Sequence, residues 1–328
     1  MTVAVTGASG HIGGNLVRAL QEQGRKVRVL VREDRRALEG LDLEEVKGDI
    51  FDYDSLLRLT DNVEAVYHCA ALISIVGSEG GLVYQTNIEG PENMVRACLE
   101  NKVPRLVHFS SIHAFESDPV EEIIDETRPL CVEGGSMPYD RSKARGQTLV
   151  QNAVKEKGLN AVIVNPGGVV GPFDFKPSRM GSVFLDIYNR TIPALIDGGY
   201  NWVDARDVVA GALAAEKKGR AGEAYLLTGH WVHIRDVAEQ IGDMYKRKVP
   251  TLALPSWLAY MVAYPTLWLG KLTGNAPKFT PSAVEALSMH RHISHEKASR
   301  ELGYQPRPFQ ETVRDTIEWF REAGKLRD

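Results

Sequence analysis

Residues 2–20, TVAVTGASGHIGGNLVRAL, limit what this chain can fold into more than any other stretch. Val3, Ala4 and Val5 form an uncharged apolar run, as a strand buried on both faces of a parallel sheet requires. Residues 6–14 are small, polar and glycine-rich. From Ile12 onward the apolar residues Ile12, Leu16, Val17 and Leu20 recur at helical spacing. Strand, glycine turn and helix together open a dinucleotide-binding unit. The glycines let backbone approach a pyrophosphate, and N–H groups at the helix start hold the anion. Gly7, Gly10 and Gly13 stand three apart behind Thr6, not in the commoner G-x-G-x-x-G order. Taken alone, such a turn also fits a tight connection between two buried elements.

The alternation continues along the chain. Further strands are expected at 27–31 (VRVLV), 43–47, 65–69 (AVYHC), 105–109, 161–165 and 224–228 (AYLLT). Helices are expected after Gly10, ending near Gly24, at 87–100 and at 139–157. Residues 201–215 read as a bend into a helix capped by Asp207. This pace implies an α/β fold, a Rossmann-type doubly wound parallel sheet with helices on both faces. Polar clusters fall at the expected carboxyl ends of its strands, where such sheets bind ligands: 6–13, Asp49, Ala70–Ala71, Ser110–Ser111 and 166–168. After Gly171 the pattern breaks. The expected division is a dinucleotide-binding domain of residues 1–170 plus about 201–230. A smaller, mostly helical substrate lobe of about 171–200 plus 231–328 would complete it, which 328 residues allow.

Composition narrows the function. A net charge of -4 gives no basic surface for nucleic acid. Cys69, Cys98 and Cys131 are odd in number and far apart, so they make neither a disulfide framework nor a metal site. With a strand from the start and no leader pattern, a cytoplasmic location is expected. Residues 249–270 carry no charge, yet Pro255 and Pro265 interrupt any membrane-spanning helix. The stretch reads as a buried helix roofing a substrate pocket. The competing reading is peripheral membrane contact through Trp257, Tyr260, Tyr264 and Trp268.

The second chemical signal is YDRSK. Tyr139 and Lys143 stand four apart at a helix start and so share a face. An ammonium near a phenol favours the phenolate, which makes the pair a plausible proton relay. On its own the spacing is common by chance and reads rather as a solvated helix pair.

The glycine turn and the Tyr/Lys pair together resemble the extended branch of the short-chain dehydrogenases/reductases, the NAD-dependent epimerase/dehydratase family. The likeness runs over nearly the whole chain. It implies that Thr6, Gly7, Gly10 and Gly13, with Ser9, His11 and Ile12 in the same turn, cradle the cofactor pyrophosphate. It implies Asp49 and Ile50 at the adenine, Ala70 and Ala71 at the ribose side, and Asn87 in support. Ser111, in HFSSIHAF, matches the catalytic serine. Tyr139 matches the general acid or base, and Lys143 the residue that holds the nicotinamide ribose and lowers the tyrosine pKa. Pro166, Gly168 and Val169 would meet the carboxamide. His113 and Arg179 are candidate substrate contacts.

Arg32 bears on the cofactor. An NAD site usually carries Asp or Glu about 20 residues past the glycines. Here Arg32 stands there with Arg35 and Arg36 behind it, a fork suited to a 2′-phosphate. NADP(H) is therefore expected, with NAD(H) as the alternative. VRVLVRED and NPGGVVGPFDFKPSRMG resemble the dihydroflavonol 4-reductase group, with 3β-hydroxysteroid dehydrogenase-like members close behind. That implies interconversion of a ketone or aldehyde with an alcohol on a small, hydrophobic substrate. Nucleotide-sugar epimerases are the alternative. Dehydratases carry an acidic pair where this chain has Ile112-His113. A non-catalytic dinucleotide sensor is opposed by the presence of both Tyr139 and Lys143. The resemblance leaves monomer and homodimer both open.

Overall fold

The first strand, β1 (Thr2–Thr6), alternates between two helical layers. Val3 and Val5 enter one core and Ala4 the other, as the period of two in a strand requires. The structure is a computed structural model, and it describes residues 1–74, 77–133, 137–261, 284, 287 and 292–327. Helix α1 (His11–Glu22) returns over the first face with Leu16, Val17 and Leu20 packed inside. Next come β2 (Lys26–Val31), β3 (Glu44–Lys47), α2 (Tyr53–Thr60) and β4 (Ala65–His68). A π-helical turn, Gln85–Glu89, leads into α3 (Gly90–Glu100). Then follow β5 (Leu106–Phe109), α4 (Pro138–Lys157), β6 (Ala161–Pro166), β7 (Gly168–Val170), α5 (Arg179–Tyr188), β8 (Leu195–Ile196) and β9 (Gly199–Asp204). The chain continues through α6 (Ala205–Lys218), β10 (Ala224–Leu227), β11 (His230–His233), α7 (Ile234–Tyr245), β12 (Ala253–Leu254), α8 (Glu296–Leu302) and α9 (Phe309–Glu322).

Seven strands form one parallel sheet in the order β10-β6-β5-β4-β1-β2-β3. They are the seven strands the sequence leads one to expect, with ends shifted by a residue or two. The order reverses between β1 and β4, and that switch point opens a crevice past the carboxyl ends. A core on the α1 and α6 side includes Val29, Tyr67, Val107 and Val208. Its counterpart under α2, α3 and α4 includes Leu56, Met94 and Val150.

A second sheet has three strands, with β9 between β7 and β11. The bend expected at residue 201 is instead strand β9, with β7 parallel on one side and β11 antiparallel on the other. The helix cap is also corrected. Asp204, not Asp207, caps α6 by accepting from the Arg206 backbone N–H at 2.9 Å. Asp207 sits in the first turn and pairs with Arg307 at 2.8 Å. Trp202 of β9 is fully buried against Phe184 and Phe309, in a core with Ile241, Val313 and Phe320.

Asp204 ties the end of β9 to α6 and to the segment before α9. Its carboxylate is wholly buried, takes two bonds from the Arg206 guanidinium and lies 3.6 Å from Arg307. Asp204→Ala removes a cap and a charge-assisted pair at once. The expected loss is about 2–3 kcal/mol in urea unfolding, whereas Asp207→Ala retains the cap and is expected to lose less.

Residues 256–261 are helical, and Trp257 and Met261 are exposed on them. The rest of the charge-free stretch, residues 262–270, lies outside the described residues, and with it Tyr264 and Trp268. Among the described residues no helix is long and apolar enough to cross a membrane.

Candidate active site

The glycine turn is shaped by contacts that leave no room for side chains. Gly7 has φ 70, and a Cβ there would stand 2.7 Å from the Ala70 backbone nitrogen. A Cβ on Gly13 would stand 2.1 Å from the Gly7 carbonyl oxygen. Gly10 is the N-cap of α1. It offers no side-chain cap, and the first turn holds no acidic residue. Helices α2, α5 and α6 are capped by Asp52, Ser178 and Asp204. The N-terminus of α1 is thus a cradle of backbone N–H groups suited to an anion, which fits a dinucleotide pyrophosphate. Ser9, His11 and Ile12 are half-buried around it.

Thr6 anchors the turn to β4. Its Oγ1 lies 2.8 Å from His68 Nδ1 and accepts from the Ala70 backbone N–H at 3.3 Å. His11 and Asn15 both donate to the Pro172 carbonyl at 3.0 Å, which fastens the start of α1 to the segment after β7. Asn87 accepts from the Leu72 N–H at 2.9 Å, and its amide donates to the Leu72 carbonyl and to Ser142 Oγ. It therefore pins the Ala70–Ala71 exit of β4 onto α4. Ile50 is buried against Gly90. Asp49 lies 3.5 Å from the exposed Arg32 guanidinium, so these two sequence candidates meet at one edge of the crevice.

On the other side of the switch point, β5 ends at Phe109 and Ser111 caps a short turn, Ile112–Ala114. Helix α4 begins at Pro138 and presents Tyr139, Ser142 and Lys143 inward, all buried. The Ser111 hydroxyl lies within range to act on the Tyr139 phenol. Burial pushes that phenol up to about 12; Ser111 opposes this and the Asp140 charge adds to it. Burial, Ser111 and Asp140 are what moves this phenol, and Lys143 is not among them. The Lys143 ammonium donates to the Phe109 carbonyl at 2.7 Å, and burial pushes it down to about 8. A lysine so placed shares its positive charge with a β5 carbonyl.

Pro166 closes β6, and Gly168 and Val169 open β7 beside β9. His113 is half-buried, 3.2 Å from Asp140. Arg179 is exposed at the start of α5, next to Met180, whose sulfur approaches Gly168.

The sequence did not single out the residues behind this site. The Asn165 amide donates to the Ser111 carbonyl and to Gln147 Oε1, both at 2.8 Å, and so fixes the turn that carries Ser111. His68 and His108 stack at 5.6 Å within the sheet, and burial pushes His68 down to about 3. The only local signal is a polar residue inside an apolar strand, as in AVYH and VIVN. Such residues are read as strand ends until pairing shows them buried.

The sequence matches the NAD-dependent epimerase/dehydratase family over residues 3–227. It is 34% identical over 331 residues to a sterol demethylase protein B of Methylococcus capsulatus, covering 99% of this chain and 100% of that one. It is 29% identical to a putative dihydroflavonol 4-reductase of Synechocystis, covering 98% and 95%. Among solved structures, a nucleoside-diphosphate-sugar epimerase from Pseudomonas aeruginosa superposes with a TM-score of 0.80 at 25% identity, covering 100% of this chain and 99% of that one.

Proposed function

The chain belongs to the NAD-dependent epimerase/dehydratase family and is an NAD(P)-dependent oxidoreductase acting on CH–OH groups, and we propose that it uses NADP(H) to interconvert a hydrophobic ketone or aldehyde with its alcohol. The observation that carries this reading is the gathering of buried Ser111, Tyr139 and Lys143 past the carboxyl end of β5.

The roles follow from charge. A bound dihydronicotinamide supplies the hydride. Reduction of a carbonyl leaves an alkoxide oxygen that needs a proton. Ser111 donates a hydrogen bond to that oxygen as its charge develops, and Tyr139 supplies the proton. A phenol near 12 is fully protonated at neutral pH and is ready to donate. The resulting phenolate needs a cation, and the buried Lys143, one turn further along the same helix, is the candidate for it. Thr6, Gly7, Ser9, Gly10, His11, Ile12 and Gly13 would hold the pyrophosphate. Asp49, Ile50, Ala70, Ala71 and Asn87 would line the adenosine and ribose side, and Pro166, Gly168 and Val169 the carboxamide side. Arg32 is exposed and free to swing from Asp49 to a 2′-phosphate.

The likeness to a sterol demethylase protein and the charge-free stretch 249–270 support a hydrophobic substrate. The test follows nicotinamide absorbance with NADPH and with NADH against ketosteroids, aromatic and aliphatic aldehydes, and UDP-glucose. NADPH oxidation by a hydrophobic carbonyl is expected. Sugar inversion without net cofactor change would instead place the chain with the epimerases, the reading favoured by its likeness to the Pseudomonas structure. Arg32→Ala is expected to raise the KM for NADPH about tenfold or more and to leave that for NADH nearly unchanged. Equal effects on both cofactors would remove Arg32 from the choice.

A further inference from the structure

Arg18 stands on α1 one turn past Gly14 and is half-buried. Its Nη1 donates to two backbone carbonyls, those of Gly14 and Ala37, both at 2.9 Å. Gly14 belongs to the same helix. Ala37 belongs to the loop after β2 that carries Arg32, Arg35 and Arg36. The guanidinium carbon also lies over two rings, 4.6 Å from the Phe173 centroid and 5.2 Å from that of Phe175. Trp319 of α9 meets Phe175 edge-on at 5.3 Å. One side chain thus joins α1, the loop after β2 and the segment after β7.

The segment after β7 is held so that it presents these rings. Phe173 has φ 63, a left-handed conformation that a bulky residue keeps only where its surroundings fix it. On one side, the Pro172 carbonyl accepts from His11 and Asn15. On the other, the buried Asp174 carboxylate accepts from the Ser178 N–H at 2.7 Å. The loop after β2 is anchored at its far end. Ala37 is buried, and a Cβ on Gly14 would stand 3.3 Å from the Ala37 Cβ, so loop and helix touch there. Leu38 enters the core beside α1. Arg36 donates twice to Asp34, at 2.9 and 2.6 Å, and Arg35 pairs with Glu45. Arg32 lies 3.5 Å from Asp49 and is the most exposed of the three arginines. It is the one placed to meet a ligand, and its position depends on how the loop behind it is held.

Resting on the NADP(H) reading above, we propose that Arg18 is a positioning residue for cofactor choice, holding the loop 32–37 against α1 at the place from which Arg32 reaches a 2′-phosphate. Arg18 does not touch the phosphate and acts through Arg32. Hydrogen bonds to two carbonyls and the faces of two rings fix the guanidinium together, and a lysine reproduces neither set in full. The N–H groups of α1 hold the pyrophosphate whichever cofactor binds. A displaced loop therefore weakens NADPH, which carries the extra phosphate, and leaves NADH nearly as it was.

The test compares wild type with Arg18→Gln, Arg18→Lys, Arg32→Ala and the double variant Arg18→Gln/Arg32→Ala. Amide hydrogen exchange of the cofactor-free protein follows the Arg36 and Leu38 N–H groups, which donate to Asp34 Oδ1 and to the Arg35 carbonyl. Fluorescence titration gives the Kd for NADPH and for NADH. Arg18→Gln is expected to speed exchange at both amides about tenfold, to raise the Kd for NADPH about tenfold and to leave that for NADH within about twofold. Arg18→Lys should fall between wild type and Arg18→Gln. In the Arg32→Ala background, Arg18→Gln should move the Kd for NADPH by less than about twofold, because the residue it positions is gone. Unmoved exchange overturns the proposal, as does an equal loss for both cofactors, or a loss for NADPH as large without Arg32 as with it. An affinity for NADPH indifferent to Arg32→Ala ends the NADP(H) reading, and the role in cofactor choice with it; the exchange rates then show separately whether Arg18 holds the loop. Should Arg18→Gln fail to fold, Phe173→Leu takes its place, since it removes a ring from the guanidinium and alters neither α1 nor the loop. It is expected to speed the same amides and to weaken NADPH selectively by about threefold, and no change in either overturns the proposal.

Discussion

Tyr139→Phe is expected to lower kcat about 10²–10⁴-fold, the range associated with a positioned general acid or base. Cofactor affinity should stay within about twofold of wild type, since no glycine-cradle contact is touched. The substitution removes one oxygen and leaves the buried ring in place. Its structural cost is at most one hydrogen bond of the hydroxyl, about 1 kcal/mol, too little to unfold the chain. A fall in kcat with unchanged NADPH quenching of protein fluorescence would place the loss at proton transfer. Retained turnover would remove Tyr139 from the mechanism, and joint loss of turnover and cofactor binding would make it a structural residue. Because the phenol is pushed up to about 12, reduction by the wild type should hold its acid limb flat through neutral pH and decline only on the alkaline side.

Gly13→Ala is expected to cost about 3 kcal/mol or more and to abolish dinucleotide binding at micromolar cofactor. Overpacking in a tight core typically costs about 1–3 kcal/mol where side chains can move. Here they cannot, because the added Cβ meets the Gly7 carbonyl oxygen at 2.1 Å and the Ala8 Cα at 2.8 Å. Both are backbone, so relief requires the whole turn to shift away from α1. The same shift disperses the N–H groups that form the cradle. Gly10→Ala is the internal control, with its Cβ 3.2 Å from one oxygen and facing outward. It should fold almost normally and lose less affinity. Urea midpoints and fluorescence titration with NADPH check both. A Gly13→Ala protein with wild-type stability and affinity would show that the turn is not packed as described.

Six of the seven strands of the parallel sheet were legible because each is a short, mostly apolar run, and burial between two helical layers leaves no other use for such runs, whereas the edge strand β3, EEVK, has no buried residue and was marked mainly by the Gly48-Asp49 that closes it. The second sheet was not legible. Residues 199–204 (GYNWVD) begin with turn-forming residues, and β7 is only Gly168–Val170. Both hold strand-forming residues, but in runs too short or too broken by Gly and Asn to mark a strand alone. They become strands because β9 finds partners on both sides, and Trp202 then fills the core between Phe184 and Phe309. The cap at Asp204 was missed for the same reason. Once residue 204 ends a strand, the helix must start at Ala205, and the acid before it becomes the acceptor.

The candidate site divides along the same line. Spacing alone put Gly7, Gly10 and Gly13 on one turn and Tyr139 and Lys143 on one helix face, because those relations are local and fixed by backbone period. What the sequence determined by itself was therefore the order of strands and helices, the glycine turn and the Tyr/Lys pair. Only the tertiary structure decided which distant residues meet them. It set Ser111 against Tyr139, His68 under Thr6, Asn165 under Ser111, and His113 across from Asp140. Each of these contacts joins separate strands, or a strand end and a helix. It forms only when β1, β4, β5 and β6 are laid side by side in register. Burial then acts on what has been brought together. It raises the phenol, lowers the lysine and keeps His68 neutral, because a charge deep in the sheet has lost its water.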